Sequence, residues 1–256
     1  MQVKMKNPLI TIITASYNSA KTIEKTIESI CAQSYQNYQY VIVDGGSTDG
    51  TIEIIQSFEC KFQNKLVWIS EKDKGIYDAW NKGIRLAEGD WICFLGSDDL
   101  LCPNALSNYV EIIEKNSKIN FISSKVDFIN MNLEYLYTIG LPWSSKMKKY
   151  CCIAHVGALH KTELFQKYGL FSLKYRICGD YDFLMRVYNH IVPAYIDVVT
   201  AKMRNVGISN VSPYSAFKET CLIKNSNGIN FFLCNYMFYL RTILGYWVKK
   251  YIMKTA

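Results

Sequence analysis

Between Leu9 and Leu95 the apolar positions switch repeatedly between two periods. "LITIIT" (9–14), "YVIVD" (40–44), "LVWIS" (66–70) and "DWICFL" (90–95) are short apolar runs rich in β-branched and aromatic residues, and each predicts a buried strand. Between them, Ile23, Ile27 and Ile30 recur at helical spacing within residues 19–33, and further helical patterns cover 49–57 and 76–87. Strands separated by helices predict a parallel sheet with both faces covered. Ligands of such sheets gather at the carboxyl ends of the strands. The segments that follow the four strands are "ASYN", "DGGSTDGT", "SEKDKG" and "GSDD", all suited to turns or hydrogen bonding and three of them carrying carboxylates.

Beyond residue 100 the alternation breaks down. Pro103 suits the first turn of a helix that runs to about Lys115, strands are expected within 119–139, and a basic loop covers 144–152. A helix at 180–190 and a strand near 195–199 follow. The run at 229–248, "INFFLCNYMFYLRTILGYWV", is long enough to cross a bilayer, but Asn230, Asn235 and Arg241 interrupt it. It predicts an amphipathic helix lying in the membrane interface, with the basic "VKKYIMK" beside it; a helix packed on the protein's own core is the alternative.

With 256 residues, half of them apolar, the chain can bury one large core and carry a tail. The start, "MQVKMKNPLITIIT", lacks a small-residue cleavage site and does not resemble an export signal. Nine cysteines stand singly except for Cys151-Cys152, without the spacing of a zinc site, and read as reduced thiols of a cytoplasmic protein. The net charge of +7 is concentrated in the C-terminal half: residues 144–176 hold seven Lys/Arg against Glu163 alone. Such charge suits anionic lipid, a phosphorylated substrate or plain solvation. A nucleic-acid partner is not expected, because "KMKKYCC" is short and no base-reading module accompanies it.

The chemistry concentrates in "FLGSDD". Two adjacent acids at the exit of a buried strand, Asp98 and Asp99, are costly to ionise together unless a cation or strong hydrogen bonds compensate. Hard oxygen donors favour Mg²⁺ or Mn²⁺, with water and substrate phosphates completing the shell. Ser-Asp-Asp also makes an ordinary helix cap, so both readings stand. In "VDGGSTDGT", Asp44 ends a strand and the glycines, Gly46 among them, let backbone approach a ligand; Ser47 or Asp49 could equally cap the next helix. Neither a dinucleotide fingerprint nor a phosphate-binding P-loop is present.

Taken together, "TIITASYNSAKTIEKTIESICAQSY", "YVIVDGGSTDGT", "SEKDKGIYDAWNKGI" and "GDWICFLGSDD" resemble, in order and spacing, the family 2 glycosyltransferases of the GT-A fold, most of all the bacterial branch that builds surface polysaccharides. The resemblance is strongest over 8–100 and continues through "HVGALHKTELFQKYGLF" and "CGDYDFLMRVY" to about residue 190. It implies a Rossmann-like three-layer α/β/α sandwich with a mostly parallel sheet. Residues 1–225 would form the catalytic domain, 1–100 its nucleotide-binding half and 101–225 its acceptor half, with 226–256 as the amphipathic tail.

The resemblance also implies roles. Ala15 and Tyr17 frame the base, Asp44 recognises it, and Gly46, Asp73 and Ser97 border the nucleotide. Asp98 holds the metal with Asp99 beside it, and Gly96 stands where the family often has an acid facing the ribose. In "CGDYDF", Gly179 replaces the family's Glu and Asp180 is the candidate catalytic base, with Asp182 as runner-up. His155 is assigned to the phosphate or acceptor side. "RNVGISN" (204–210) resembles a loop near the acceptor, in which Gly207 permits movement. The expected reaction is a metal-dependent, inverting transfer from a nucleotide sugar, with UDP the commoner nucleotide, to a glycan or lipid-linked acceptor at the inner face of the cytoplasmic membrane. A nucleotidyltransferase is the competing enzyme class, but its glycine-rich, cationic N-terminal loop is missing. A scaffold that kept the fold without the activity is the third reading.

Overall fold

The computed structural model describes residues 7–205 and 212–229. Gly207 and the tail from residue 230 onward therefore lie outside the described residues. Strands β1 (Ile10–Ser16), β2 (Tyr38–Asp44), β3 (Leu66–Ser70) and β4 (Trp91–Gly96) fall where the apolar runs place them and pair in parallel in the order β3-β2-β1-β4. Alternation along each strand sends neighbouring side chains to opposite faces. Ile10, Ile12, Tyr40, Ile42, Cys93 and Leu95 pack with helices α1 (Ile23–Cys31) and α2 (Thr51–Ser57). Ile13, Val41, Val43, Ile92 and Phe94 pack with α3 (Ile76–Leu86). Three layers result because both faces of each strand are apolar.

The second half extends the same sheet. A two-residue strand β5 (Leu100–Leu101) leads into α4 (Ala105–Lys115), which joins the α1 side. Strands β6 (Phe121–Ile129) and β7 (Tyr135–Ile139) form an antiparallel pair, and β8 (Leu159–Lys161) joins β4 to β6, antiparallel to both. Helices α5 (Glu163–Tyr168) and α6 (Gly179–Arg186) add to the α3 side. β9 (Pro193–Arg204) runs parallel to β6 and antiparallel to β5. Helix α7 (Pro213–Ser226) packs against α6. The sheet is thus parallel through its first four strands and mixed beyond them.

Two features depart from the sequence expectations. β9 continues to Arg204, past the expected end near 199, because residues 201–204 pair with Val126–Ile129 of β6 and Ala201 and Lys202 also pair with β5. β8 is only three residues long, "LHK", too short to show a period, yet it is the element that joins the two halves of the sheet. Among the described residues no helix is long and apolar enough to cross a membrane.

Candidate functional site

Strand register puts the expected donor residues at one edge. Ser16, Asp44 and Ser70 stand level across β1, β2 and β3, and Ala15 stands level with Gly96 of β4. Asp44 is fully buried and accepts five hydrogen bonds: from the hydroxyls of Ser16 (3.0 Å), Ser47 (2.5 Å) and Ser70 (2.8 Å), and from the amides of Gly46 (3.0 Å) and Ser47 (2.8 Å). Burial pushes its pKa up, and those bonds outweigh burial and hold the carboxyl below its ordinary value. Both oxygens are engaged within the chain. Asp44 therefore shapes the loop that follows β2, with Gly46 at φ +84° in the left-handed region. Asp49 caps the start of α2, accepting from the amide (3.1 Å) and hydroxyl (2.6 Å) of Thr51.

Tyr17 lies 65% exposed just beyond β1, and Asp73 accepts from the amide of Gly75 at 2.7 Å. Gly45 brings these two together, for a side chain there would meet the Asp73 carboxylate at 2.7 Å and the Tyr17 ring at 3.2 Å. Ser97 shares a 2.8 Å hydrogen bond with Ser19, which ties the end of β4 to the loop after β1. Tyr17, Gly45 and Asp73 thus meet at the carboxyl edge of the sheet.

Asp98 and Asp99 converge over Gly96. A Cβ at Gly96 would come within 2.6 Å of Asp99 Oδ2 and 2.9 Å of Asp98 Oδ1, so this chain has no room for the acid that the family often carries at that place. Arg204, at the end of β9, closes over the pair: its amide donates to Asp99 Oδ1 at 3.0 Å, and its guanidinium donates to the backbone carbonyl of Asp98. Thr26 of α1 donates to the Asp99 carbonyl at 2.8 Å. Burial pushes both carboxyls up. For Asp99 the neighbouring Asp98 adds to this, while Arg204 pulls both the other way. Arg204 is itself buried, and its Nε has no hydrogen-bond partner among the described residues. This residue was expected only as the first of a loop.

Asp180 occupies the first turn of α6, where a carboxylate suits the helix dipole; Cys178 holds the cap position. Tyr77, from α3, is the partner that sequence reasoning missed. Its hydroxyl donates in a three-centre hydrogen bond to the carbonyl of Ile177 (2.6 Å) and to Asp180 Oδ1 (3.1 Å). The Tyr77 ring also explains why Gly179 replaces the family's Glu, because a Cβ at 179 would sit 2.8–2.9 Å from three of its ring carbons. The free amides ahead of α6 are satisfied from α7, where Glu219 accepts from the N–H groups of Arg176, Ile177 and Cys178, each at 2.9 Å. Asp182 faces elsewhere: it is buried, 3.7 Å from the guanidinium of Arg186, which donates to the carbonyls of Tyr168 and Leu170.

His155 is stacked on Phe94 (5.2 Å between ring centres) and packed against Trp80, and neither ring nitrogen has a hydrogen-bond partner. Burial lowers its pKa, and the nearby Asp180 carboxylate works against that. His155 thus lies between the end of β4 and the start of α6. His160 of β8 is buried beside it, 5.0 Å between ring centres, next to the backbone of Ile92.

The family model described as Glycosyl transferase family 2 matches residues 11–181. The chain belongs to that family. As a glycosyltransferase it is 30% identical over 206 residues, 79% of either chain, to a PGL/p-HBAD biosynthesis glycosyltransferase of Mycobacterium bovis (strain BCG / Pasteur 1173P2). Among solved structures it superimposes on S. aureus TarS 1-349 in complex with UDP-GlcNAc with a TM-score of 0.70, at 18% identity over 89% of this chain and 68% of that one. It covers 38% of a longer TarS chain. The mannosyltransferase PcManGT from Pyrobaculum calidifontis, in complex with GDP-Man and Mn2+, gives 0.66 at 18% identity, over 86% of this chain and 64% of that one. The glycosyltransferase has the GT-A fold, as its sequence motifs imply.

Proposed function

We propose that this family 2 glycosyltransferase transfers a sugar from a nucleoside-diphosphate sugar, with UDP as the expected nucleotide, to a glycan or lipid-linked acceptor in a single inverting displacement. The observation that carries the reading is the pair of acid stations on separate elements: Asp98 and Asp99 at the end of β4, and Asp180 held by Tyr77 at the start of α6.

The donor station fits a divalent cation. A buried carboxylate, Asp99, and a half-buried one, Asp98, crowd one glycine, loss of water pushes both up in pKa, and Arg204 offsets only part of their charge. Asp98, with Asp99 beside it, would hold Mg²⁺ or Mn²⁺, which when bound supplies Lewis-acid stabilisation of the leaving diphosphate. Since Asp99 Oδ1 already accepts from the Arg204 amide, Asp98 is the principal ligand and Asp99 the support. Tyr17 offers a face on which the base can stack, and Asp73 borders the nucleotide.

At the acceptor station Asp180 takes the proton of the attacking hydroxyl. The acceptor oxygen forms its bond to the anomeric carbon, and the bond from that carbon to the diphosphate breaks, its electron pair leaving with the diphosphate. Attack from the side opposite the leaving group inverts the anomeric centre. Action at the inner membrane surface, with contact through residues 226–256, belongs to the same proposal and rests on the amphipathic, basic sequence of that segment.

The test is calorimetry of UDP, GDP and dTDP binding with Mn²⁺ and with a chelator, together with transfer or donor-hydrolysis assays. One diphosphate is expected to bind only with metal present, and Asp98→Asn to lose that binding. Asp180→Asn is expected to keep it while turnover falls by roughly 10²–10⁴-fold. Equal loss of binding in the two variants refutes this division of roles.

A further inference from the structure

Beside the start of α6 lies a cleft of about 780 Å³ that no donor residue reaches. One wall comes from β6, β9 and the end of β7, with Lys125, Ile139 and Leu141; the other comes from the basic loop, with Tyr150, Cys151 and Ile153. The two walls are joined where the amide of Leu141 donates to the carbonyl of Cys152 at 3.3 Å. Two bonds fasten the loop to the helices that carry and support Asp180. The hydroxyl of Tyr181, the residue after Asp180, donates to the Met147 carbonyl at 2.7 Å, and the Lys224 ammonium of α7 donates to the Lys149 carbonyl. The cleft is thereby anchored to the acceptor side of the site.

The chemistry of the walls narrows what can sit there. A bare oligosaccharide is held by side chains that exchange hydrogen bonds with its hydroxyls. Here two polar side chains of the walls are already engaged: Lys125 pairs with Asp197 at 2.6 Å, and Thr138 donates to Asp127 at 2.6 Å. What remains beside the Tyr150 hydroxyl is mostly aliphatic, aromatic and thiol surface, in a volume suited to a small ligand. We infer that this cleft binds an apolar aglycone, an alkyl, prenyl or aromatic group, attached to the sugar or hydroxyl that receives the transferred residue. The aglycone lies between Leu141 and Tyr150, and the accepting hydroxyl points to Asp180. This assignment rests on the reading of Asp180 as the acceptor-side base.

The experiment uses the full chain and two soluble probes, octyl β-D-glucoside below its critical micelle concentration and methyl β-D-glucoside. Binding is followed by NMR chemical-shift titration, with nucleotide binding measured separately by calorimetry. The octyl glucoside is expected to bind at least ten-fold more tightly than the methyl glucoside. Leu141 and Tyr150 are each 42% exposed, so Leu141→Glu and Tyr150→Ala should fold normally and lower octyl affinity at least five-fold, leaving nucleotide affinity unchanged. Equal binding of the two glucosides overturns the inference. So does octyl binding that neither variant weakens, since the chain would then be held elsewhere on the protein. If no nucleoside diphosphate binds with or without Mn²⁺, the donor reading fails, and the two glucosides still decide the cleft.

Discussion

From Ile10 to Gly96, strand and helix alternate in a simple order, and the side chains at the strand ends are positioned mostly by neighbours along the same edge: Ser16, Ser47 and Ser70 around Asp44, and Ser19 against Ser97. From Leu100 to Ser226 the site is assembled from distant segments. Asp180 depends on Tyr77, 103 residues away. The amides before α6 depend on Glu219. The contrast separates two ways of building a site. A parallel sheet presents its strand ends together by construction, whereas the mixed half must cross-brace each functional group individually. Arg204 is the exception, a residue of the second half that braces Asp99 at the end of β4; apart from it, the first half should tolerate changes far from its own loops, and the second half should not.

The largest test of this contrast is Tyr77→Phe. It removes the hydroxyl beside Asp180 and leaves the ring over Gly179. Hydrogen bonds to charged groups contribute about 1.5–3 kcal/mol, so turnover is expected to fall roughly 10–100-fold. Nucleotide affinity by calorimetry is expected to stay unchanged; a parallel loss would mean that α3 braces both halves.

Restoring the family's residue sharpens the comparison from the other side. Gly179→Glu drives a Cβ into the Tyr77 ring, and overpacking of this kind costs roughly 1–3 kcal/mol. Urea denaturation is expected to register that loss, and adding Tyr77→Ala to recover part of it. Independent, additive effects of the two changes would show that the contact is not what excludes the side chain.

The smallest expected effect concerns the seam between the halves. Burial lowers the pKa of His155, and that of His160 further, so the folded protein holds both rings neutral while the unfolded chain protonates them below about pH 6.5. Stability is therefore fully present above pH 6.5 and lost as pH falls below it, by up to about 1.4 kcal/mol per pH unit for each histidine. His160→Phe, which keeps a ring among Phe94, Phe121 and Phe165, is expected to flatten that slope between pH 6.5 and 5.5 in urea unfolding. An unchanged slope would place the acid sensitivity elsewhere.

These outcomes also bear on how far the sequence could be read. The four parallel strands were legible because each carries its period within a few residues, and the strand-end loops followed from them. β8 was not legible, since three residues have no period and its place depends on β4 and β6 flanking it. Tyr77 sat inside a recognised motif without a signal of its own, because a hydroxyl within a helical pattern does not show which carbonyl or carboxylate it will meet. Glu219 belongs to a helix that was not anticipated at all. Asp44 adds a role that its position did not show: at a strand end it read as a ligand contact, and its five internal donors also make it the organiser of its loop. Gly96 and Gly179, two departures from the family pattern, have the same cause, a space already filled by this chain's own side chains.

The hold of Glu219 on the amides of residues 176–178 has a consequence for synthesis on the ribosome. The first four strands and their helices can pair as soon as they emerge, but the turn that presents Asp180 keeps three unsatisfied amides until α7 has left the exit tunnel. A nascent chain halted before residue 219 would carry the strand ends of the first half and an unbraced turn at Asp180, so the order of translation leaves that turn among the last parts of the site to be fixed.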